Sequence, residues 1–249
     1  MLLSAFFDYL NREEFKYTIT VVFVALLLFL VVYSYSKERR TQSRSIVIRR
    51  LVIVSIFSSI SILLYIFGID INIFIPFMPP FLEIHFSIIP ILLITSLYGP
   101  AYGGIAIIIK TLGKLILVTS SSFGVGEIAD IFIGVSVVTV FAFLYYKKES
   151  SKNLIIALIV SGVVWIMAGV FINWSIIIPF YIYVWNFEAV FAALKMIPGI
   201  TEANYMGIYL LGACLPFNAI AASLNMFLSY FVIRSLSRII PQIGTLKNN

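Results

Sequence analysis

Long apolar runs, broken at intervals by proline, glycine and short charge clusters, set the pattern of this chain. Seven can be drawn, near residues 17–36, 51–68, 84–98, 99–118, 127–146, 153–183 and 207–233. A membrane-spanning helix needs about 20 mainly apolar residues. The runs are continuous rather than alternating, which excludes the strands of a membrane β-barrel. The pattern predicts an all-α, polytopic membrane protein with seven spans. The run 153–183 is longer than a straight crossing needs, and Pro179, followed by aromatics, predicts that the helix ends there or turns along the interface. The first run is too long for a cleaved signal segment and lacks a small-residue cleavage site, so it reads as a retained helix.

Composition agrees: 61% of residues are hydrophobic and 11% charged, against about a quarter charged in a soluble domain. Cys214 is the only cysteine, so no internal disulfide forms and no thiolate metal site can be built. The net charge of +6 invites a nucleic-acid partner, but its distribution is that of a topology signal. "KERRTQSRSIVIRR", "KKESSK" and the C-terminal tail with Arg234, Arg238 and Lys247 hold 12 of the 17 basic residues and only two acids, Glu38 and Glu149. Seven spans put all three regions on one face, which is then cytoplasmic, with the N-terminus outside and the C-terminus inside. Asp70, Glu83, Glu188 and Glu202 fall on the outer side, with the longest connections, 69–83 and 184–206. Elaborated outer loops suggest recognition from outside.

Polar residues within the apolar runs are the candidate chemistry. Lys110 and Lys114 lie one turn apart in one span, and "GVGEIADIF" opens the next with Glu127 and Asp130 on one face. An ionisable group at membrane depth costs about 2.5–3.5 kcal/mol and turns inward to a partner or to water. These four either pin two antiparallel helices, Lys110 reaching Asp130 and Lys114 the start of the next helix, or contact a ligand. Asn173, followed by Trp174, and Asn218, in "LPFN", must satisfy both ends of an amide; each ties helices together or reads the polar edge of a ligand. Pro216 loosens the helix beside Asn218. Aromatics gather on the outer side, Phe74, Phe77, Phe81, Trp174, Tyr181 and Trp185 among them; they form an interfacial belt or supply faces for a flat ring. Ser55 and Ser59 make a small-xxx-small pattern for close helix approach, within the chain or to another subunit. The stretch "PFMPPFLEIHFSIIPILL" (76–93) breaks a helix at the bilayer edge with prolines, a glutamate and the only histidine, His85. It reads as a lid over a small-molecule pocket. The chain has no glycine-rich phosphate loop ending in Lys-Ser/Thr, no H-E-x-x-H and no G-x-S-x-G, which argues against ATP hydrolysis or hydrolase chemistry by those routes. His85 and Ser87 do not have the spacing of a catalytic pair.

The block "FMPPFLEIHFSIIPILLITSLYGPAYGGIAIIIKTLGKLIL…GVGEIADIFIG", with "AGVFINWSIIIPFY" and "LPFNAIAASLNMFLSYFVIRSLS", resembles the substrate-binding S-components of energy-coupling-factor vitamin transporters, in their riboflavin-binding branch. The resemblance covers about residues 50–240. It implies a six-helix membrane core at 51–240, preceded at 1–50 by an extra transmembrane helix and basic cytoplasmic linker, and followed by a cytoplasmic tail at 241–249. It implies a cell-membrane substrate-capture subunit, not an enzyme, that takes riboflavin from outside as transported ligand and uses no cofactor. Its partners would be a transmembrane coupling subunit and two cytoplasmic ATPase subunits. The loop after the first core helix would gate the pocket, Asn173 and Asn218 would contact the flavin's polar edge, and Ser55 and Ser59 would dock on the coupling subunit. Phe81, Trp174, Lys110, Lys114, Glu127 and Asp130 complete the candidate substrate-side residues. The chain departs from the branch at Ala221, where a lysine is usual, at His85 in place of an aspartate and at Glu83 in place of a lysine. The alternative cargo is another vitamin or small heterocycle; a membrane enzyme and a purely structural helix scaffold are the remaining readings.

Overall fold

The computed structural model describes residues 44–79, 81–118, 124–146 and 149–239. The predicted first span near 17–36 and the C-terminal tail lie outside them. The order is α1 (Arg44–Ile66), strands β1 (Ile69–Asp70) and β2 (Glu83–Ile84), α2 (Ile88–Tyr98), α3 (Pro100–Leu117), α4 (Val125–Tyr145) and α5 (Ser151–Ile172). A wide π-helical turn, Asn173–Ile177, leads into α6 (Ile178–Trp185), followed by α7 (Phe187–Leu194) and α8 (Tyr205–Tyr209). A second wide turn, Leu210–Cys214, leads into α9 (Leu215–Ile239). Among the described residues, four helical stretches are long and apolar enough to cross a membrane: Pro100–Leu117, Val125–Tyr145, Ser151–Trp185 and Tyr205–Leu236. Arg50–Ile66 and Ile88–Tyr98 are shorter apolar helices.

The helix expected to begin at residue 51 begins at Arg44, so the last part of the basic linker is helical. The run expected to be helical from 84 becomes so only at Ile88. Pro90 sits in the first turn of α2, where backbone N–H groups have no intrahelical partner to lose. Before it, β2 pairs with β1, Ile69 opposite Ile84 and Asp70 opposite Glu83. α2 is the centre of the molecule. It packs on α1, α3, α4 and α9, and Ile91, Leu92, Leu93 and Ile94 are completely buried. Its eleven residues rise about 17 Å, too little for a hydrocarbon core of about 30 Å. Residues 83–86, at a strand's rise, add about 13 Å. Non-helical backbone at membrane depth is tolerated only where protein satisfies it, and here it is satisfied. The Ser61 hydroxyl donates to the Ser87 carbonyl at 2.5 Å, and Asn225 Nδ2 donates to the His85 carbonyl at 3.1 Å. At the other end of α2 the chain reverses through Gly99 alone, at φ 93°, with Pro100 opening α3; a side chain there would be strained.

Pro179 does not end its helix, which corrects the first of the two outcomes expected from sequence: the helical stretch runs from Ser151 to Trp185. The wide turn Asn173–Ile177 lies two residues ahead of it, closed by the Ile178 N–H donating to the Asn173 carbonyl. Proline in an α-helix clashes with the carbonyl four residues back and leaves it unpaired. Widening the preceding turn shifts that carbonyl aside. The same device recurs at Pro216, two residues beyond Leu210–Cys214, where Leu215 N–H donates to the Leu210 carbonyl. Both wide turns sit in the half of the bundle that also carries the 69–84 loop.

Candidate functional site

Two polar clusters occupy that half. The first surrounds the unwound segment ahead of α2. Lys110, fully buried on α3, is ion-paired and hydrogen-bonded to Asp130 of α4 and donates to Ser87 Oγ at 3.3 Å. One turn along, Lys114 Nζ meets Glu127 Oε1 at 3.1 Å. Both ammonium groups lie over the Tyr65 ring of α1, at 4.5 and 4.2 Å, a cation–π geometry that is stronger away from water. The pairing expected from sequence is therefore present, with each acid facing its own lysine. His85, whose ring lies 4.5 Å from that of Tyr65, adds its Nε2 3.5 Å from Asp130 Oδ1 and its Nδ1 3.0 Å from Ser87 Oγ.

Ser87, His85 and Asp130 thus stand in the order of a hydrolase triad, which their sequence positions did not suggest. The surroundings do not permit that chemistry. Ser87 is completely buried, so no carbonyl can approach its oxygen. The charge of Asp130 is already opposed by Lys110 rather than reserved for an imidazolium. The cluster is a hydrogen-bonded girdle that fixes the base of the 69–84 loop to α1, α3, α4 and α9.

The second cluster lies between the loop and the two wide turns. Asn173, the first residue of one wide turn, donates from Nδ2 to the Gly169 carbonyl at 2.8 Å and accepts the Tyr209 hydroxyl at 2.6 Å. Buried Asn218 donates to the Cys214 carbonyl at 2.8 Å, with Cys214 Sγ at 3.5 Å. The two amides meet around Gly169: a Cβ there would fall 2.2 Å from Asn218 Oδ1, so only glycine lets α5 and α9 close at this point. Phe81, from the loop, points its ring at those of Tyr181 and Tyr209, at 6.0 and 6.2 Å. Trp174 stands at the margin against Phe171, whose ring stacks on Phe132 of α4. The loop itself is seated on the bundle by buried Ile71, Met78 and Leu82. Turns Met78 N–H to Ile75 O (2.9 Å) and Leu82 N–H to Pro79 O (3.1 Å) hold Pro76 and Pro79 in place.

Ser55 and Ser59 join neither cluster. Both lie exposed on α1, their hydroxyls donating back to the Leu51 and Ser55 carbonyls. The inward side of α1 instead carries Ser58 and Ser61, both fully buried. An apolar groove of about 670 Å³ lies elsewhere, between α5 and α9, with Leu158, Gly162 and Met226 in its wall.

Sequence reasoning missed Tyr209, Gly169, Tyr65 and Asn225 as partners; Tyr181 it placed among the outer aromatics, without its contact to Phe81. Asn225 had a signal, since it lies seven residues, two turns, after Asn218 on one helix. Gly169, four residues before Asn173, had another. Tyr65 and Tyr209 had none, because their contacts join segments far apart in the chain.

A family model described as "ECF transporter, substrate-specific component" matches residues 49–233. The chain is 28% identical over 195 residues to the riboflavin transporter RibU of Staphylococcus aureus (strain TCH60), covering 78% of this chain and 94% of that one. It is 30% identical over 205 residues to the riboflavin transporter RibU of Leuconostoc mesenteroides, covering 76% and 91%. Over 135 residues it is 30% identical to the riboflavin transporter FmnP of Bacillus subtilis (strain 168), covering 54% and 69%. A solved structure of the S component of a bacterial ECF transporter superposes with a TM-score of 0.58 at 25% identity, covering 77% of this chain and 97% of that one.

Proposed function

The chain belongs to the substrate-specific components of ECF transporters, and on that premise we propose that it captures riboflavin from outside the cell membrane for an ECF importer. The names of the relatives support this cargo. The observation that carries it is the meeting of ring faces and a side-chain amide at one place under the loop: Phe81, Tyr181, Tyr209 and Asn173. A flavin is a flat ring system, apolar at one end and edged by an imide at the other. Stacking and apolar burial hold the flat part. An amide side chain, which offers two N–H donors and two lone pairs on its oxygen, matches the imide edge. Asn173 uses one donor and one acceptor within the protein and keeps capacity for a ligand. Ala221 is buried and apolar in this chain, so polar recognition falls to Asn173 and Asn218. Phe81 exchanges its tyrosine contacts for the flavin as the loop re-closes.

Lys110, Lys114, Glu127 and Asp130 serve as scaffold rather than ligand contacts, because each charge is matched within the girdle. The remaining parts are supplied from outside the chain. The exposed Ser55/Ser59 face of α1 is the docking surface for the transmembrane coupling subunit, and two cytoplasmic ATPase subunits provide the energy. α1 and α2 complete six crossings, with the basic regions and the C-terminus on the cytoplasmic side.

Titrating the purified chain with riboflavin, followed by quenching of flavin fluorescence, tests the site. Removing one hydrogen bond to a buried ring edge costs about 1–3 kcal/mol. Asn173→Ala and Asn218→Ala are each expected to weaken riboflavin roughly tenfold to a hundredfold. Unchanged affinity in both variants would remove the amides from the site.

A further inference from the structure

The 69–82 loop has two apolar sides, and only one of them is used by the fold. Ile71, Met78 and Leu82 point into the bundle. Ile73 and Phe74 point out, 69% and 70% exposed, with Ile69 and Phe77 beside them on the outer surface. Asn72 is the only polar side chain between Ile71 and Pro79. A lid facing water would present polar residues there; a contiguous exposed apolar patch marks a contact surface.

The patch continues a surface that already faces acyl chains. Leu63 and Phe67, the latter 74% exposed, stand on α1 and just past its end, and the chain enters the loop directly after them. Beside them, Ile116 (83% exposed) and Leu117 close the outer end of α3. The two helix ends are in tight contact, since a Cβ on Gly113 would lie 2.4 Å from Ile62 Cδ1. The lipid-facing band of α1 and α3 therefore leads to the outer surface of the loop, with the exposed acids Asp70 and Glu83 of the β1–β2 hinge standing where the two join. Phenylalanine rings at that level suit the boundary between acyl chains and headgroups.

We infer that the outer surface of this loop, Ile69, Ile73, Phe74 and Phe77, is a lipid-contact surface that rests in the outer leaflet. The loop is then held from both sides, by Met78, Phe81 and Leu82 on the bundle and by Phe74 and Phe77 in lipid. Its opening is a sliding motion along the membrane boundary. This rests on the membrane-spanning reading of α1 and α3 and not on the identity of the cargo.

Site-directed spin labelling in phosphatidylcholine vesicles tests it without any vitamin present. Phe74→Cys and Phe77→Cys are labelled separately, with the unsubstituted chain as the background for buried Cys214; Glu202→Cys, on an exposed outer connection, is the aqueous control. At 74 and 77, dissolved oxygen is expected to enhance relaxation several-fold more than a water-soluble nickel chelate, with the order reversed at 202. Nickel dominance at 74 and 77 would place the loop in water and overturn the inference. So would immobilised labels shielded from both reagents, which would mean that a protein chain covers the patch.

Discussion

Asp130 faces three groups at once: the Lys110 ammonium, the His85 ring and, through Lys110, the Ser87 hydroxyl. Part of this was legible from spacing, because Lys110/Lys114 and Glu127/Asp130 each recur within one helical turn on adjacent antiparallel helices. His85 was not, because it enters from a non-helical segment whose course is fixed by Ser61 and Asn225, 26 and 140 residues away from their acceptors. Removing one member of a buried ion pair strands the other, at about 3–5 kcal/mol, whereas replacing both with apolar groups is often neutral. Asp130→Leu is expected to lower stability by about that amount. Lys110→Met combined with Asp130→Leu should recover most of the loss. Thermal unfolding in detergent measures both, and an Asp130→Leu variant as stable as the parent would contradict the girdle. Riboflavin affinity retained in the double variant would separate this cluster from the ligand contacts.

Helix positions followed from the apolar runs, and helix ends did not. The start of α2 is decided by long-range hydrogen bonds to backbone, and the passage of the chain through Pro179 by a wide turn that no local propensity announces. Such π turns gather at functional positions, and both of them here border the amide cluster. The short helix α7 also escaped the apolar-run reading, because it is only eight residues long; Asn186, at φ 70°, caps it by accepting from Ala189 N–H at 3.0 Å. At the hinge of the loop, Asp70 lies directly opposite Glu83. Like charges in cross-strand register weaken the pairing, and an opposite pair contributes about 0.2–1 kcal/mol. Glu83→Lys is therefore expected to hold the loop shut longer. Stopped-flow release of riboflavin should slow by up to about fivefold, and faster release would mean that the β1–β2 pairing does not control opening.

At the scale of the whole molecule, the sequence pattern carried the membrane class and the grouping of polar residues in one half of the bundle, because burial at membrane depth forces ionisable groups into pairs. It did not carry the filling of that half by the loop's own Met78, Phe81 and Leu82, since a lid and a plug have the same composition. On the proposed function, the vitamin competes for space that these side chains otherwise fill, with one ligand per chain beneath a loop tied down at both ends. Native mass spectrometry of the full chain, expressed in riboflavin-fed cells and extracted in mild detergent, tests this most directly. The predicted spectrum is the protein carrying one riboflavin mass, lost in a Phe81→Ser, Asn173→Ala double variant. A chain that emerges without a flavin and takes none up when riboflavin is added back would contradict it.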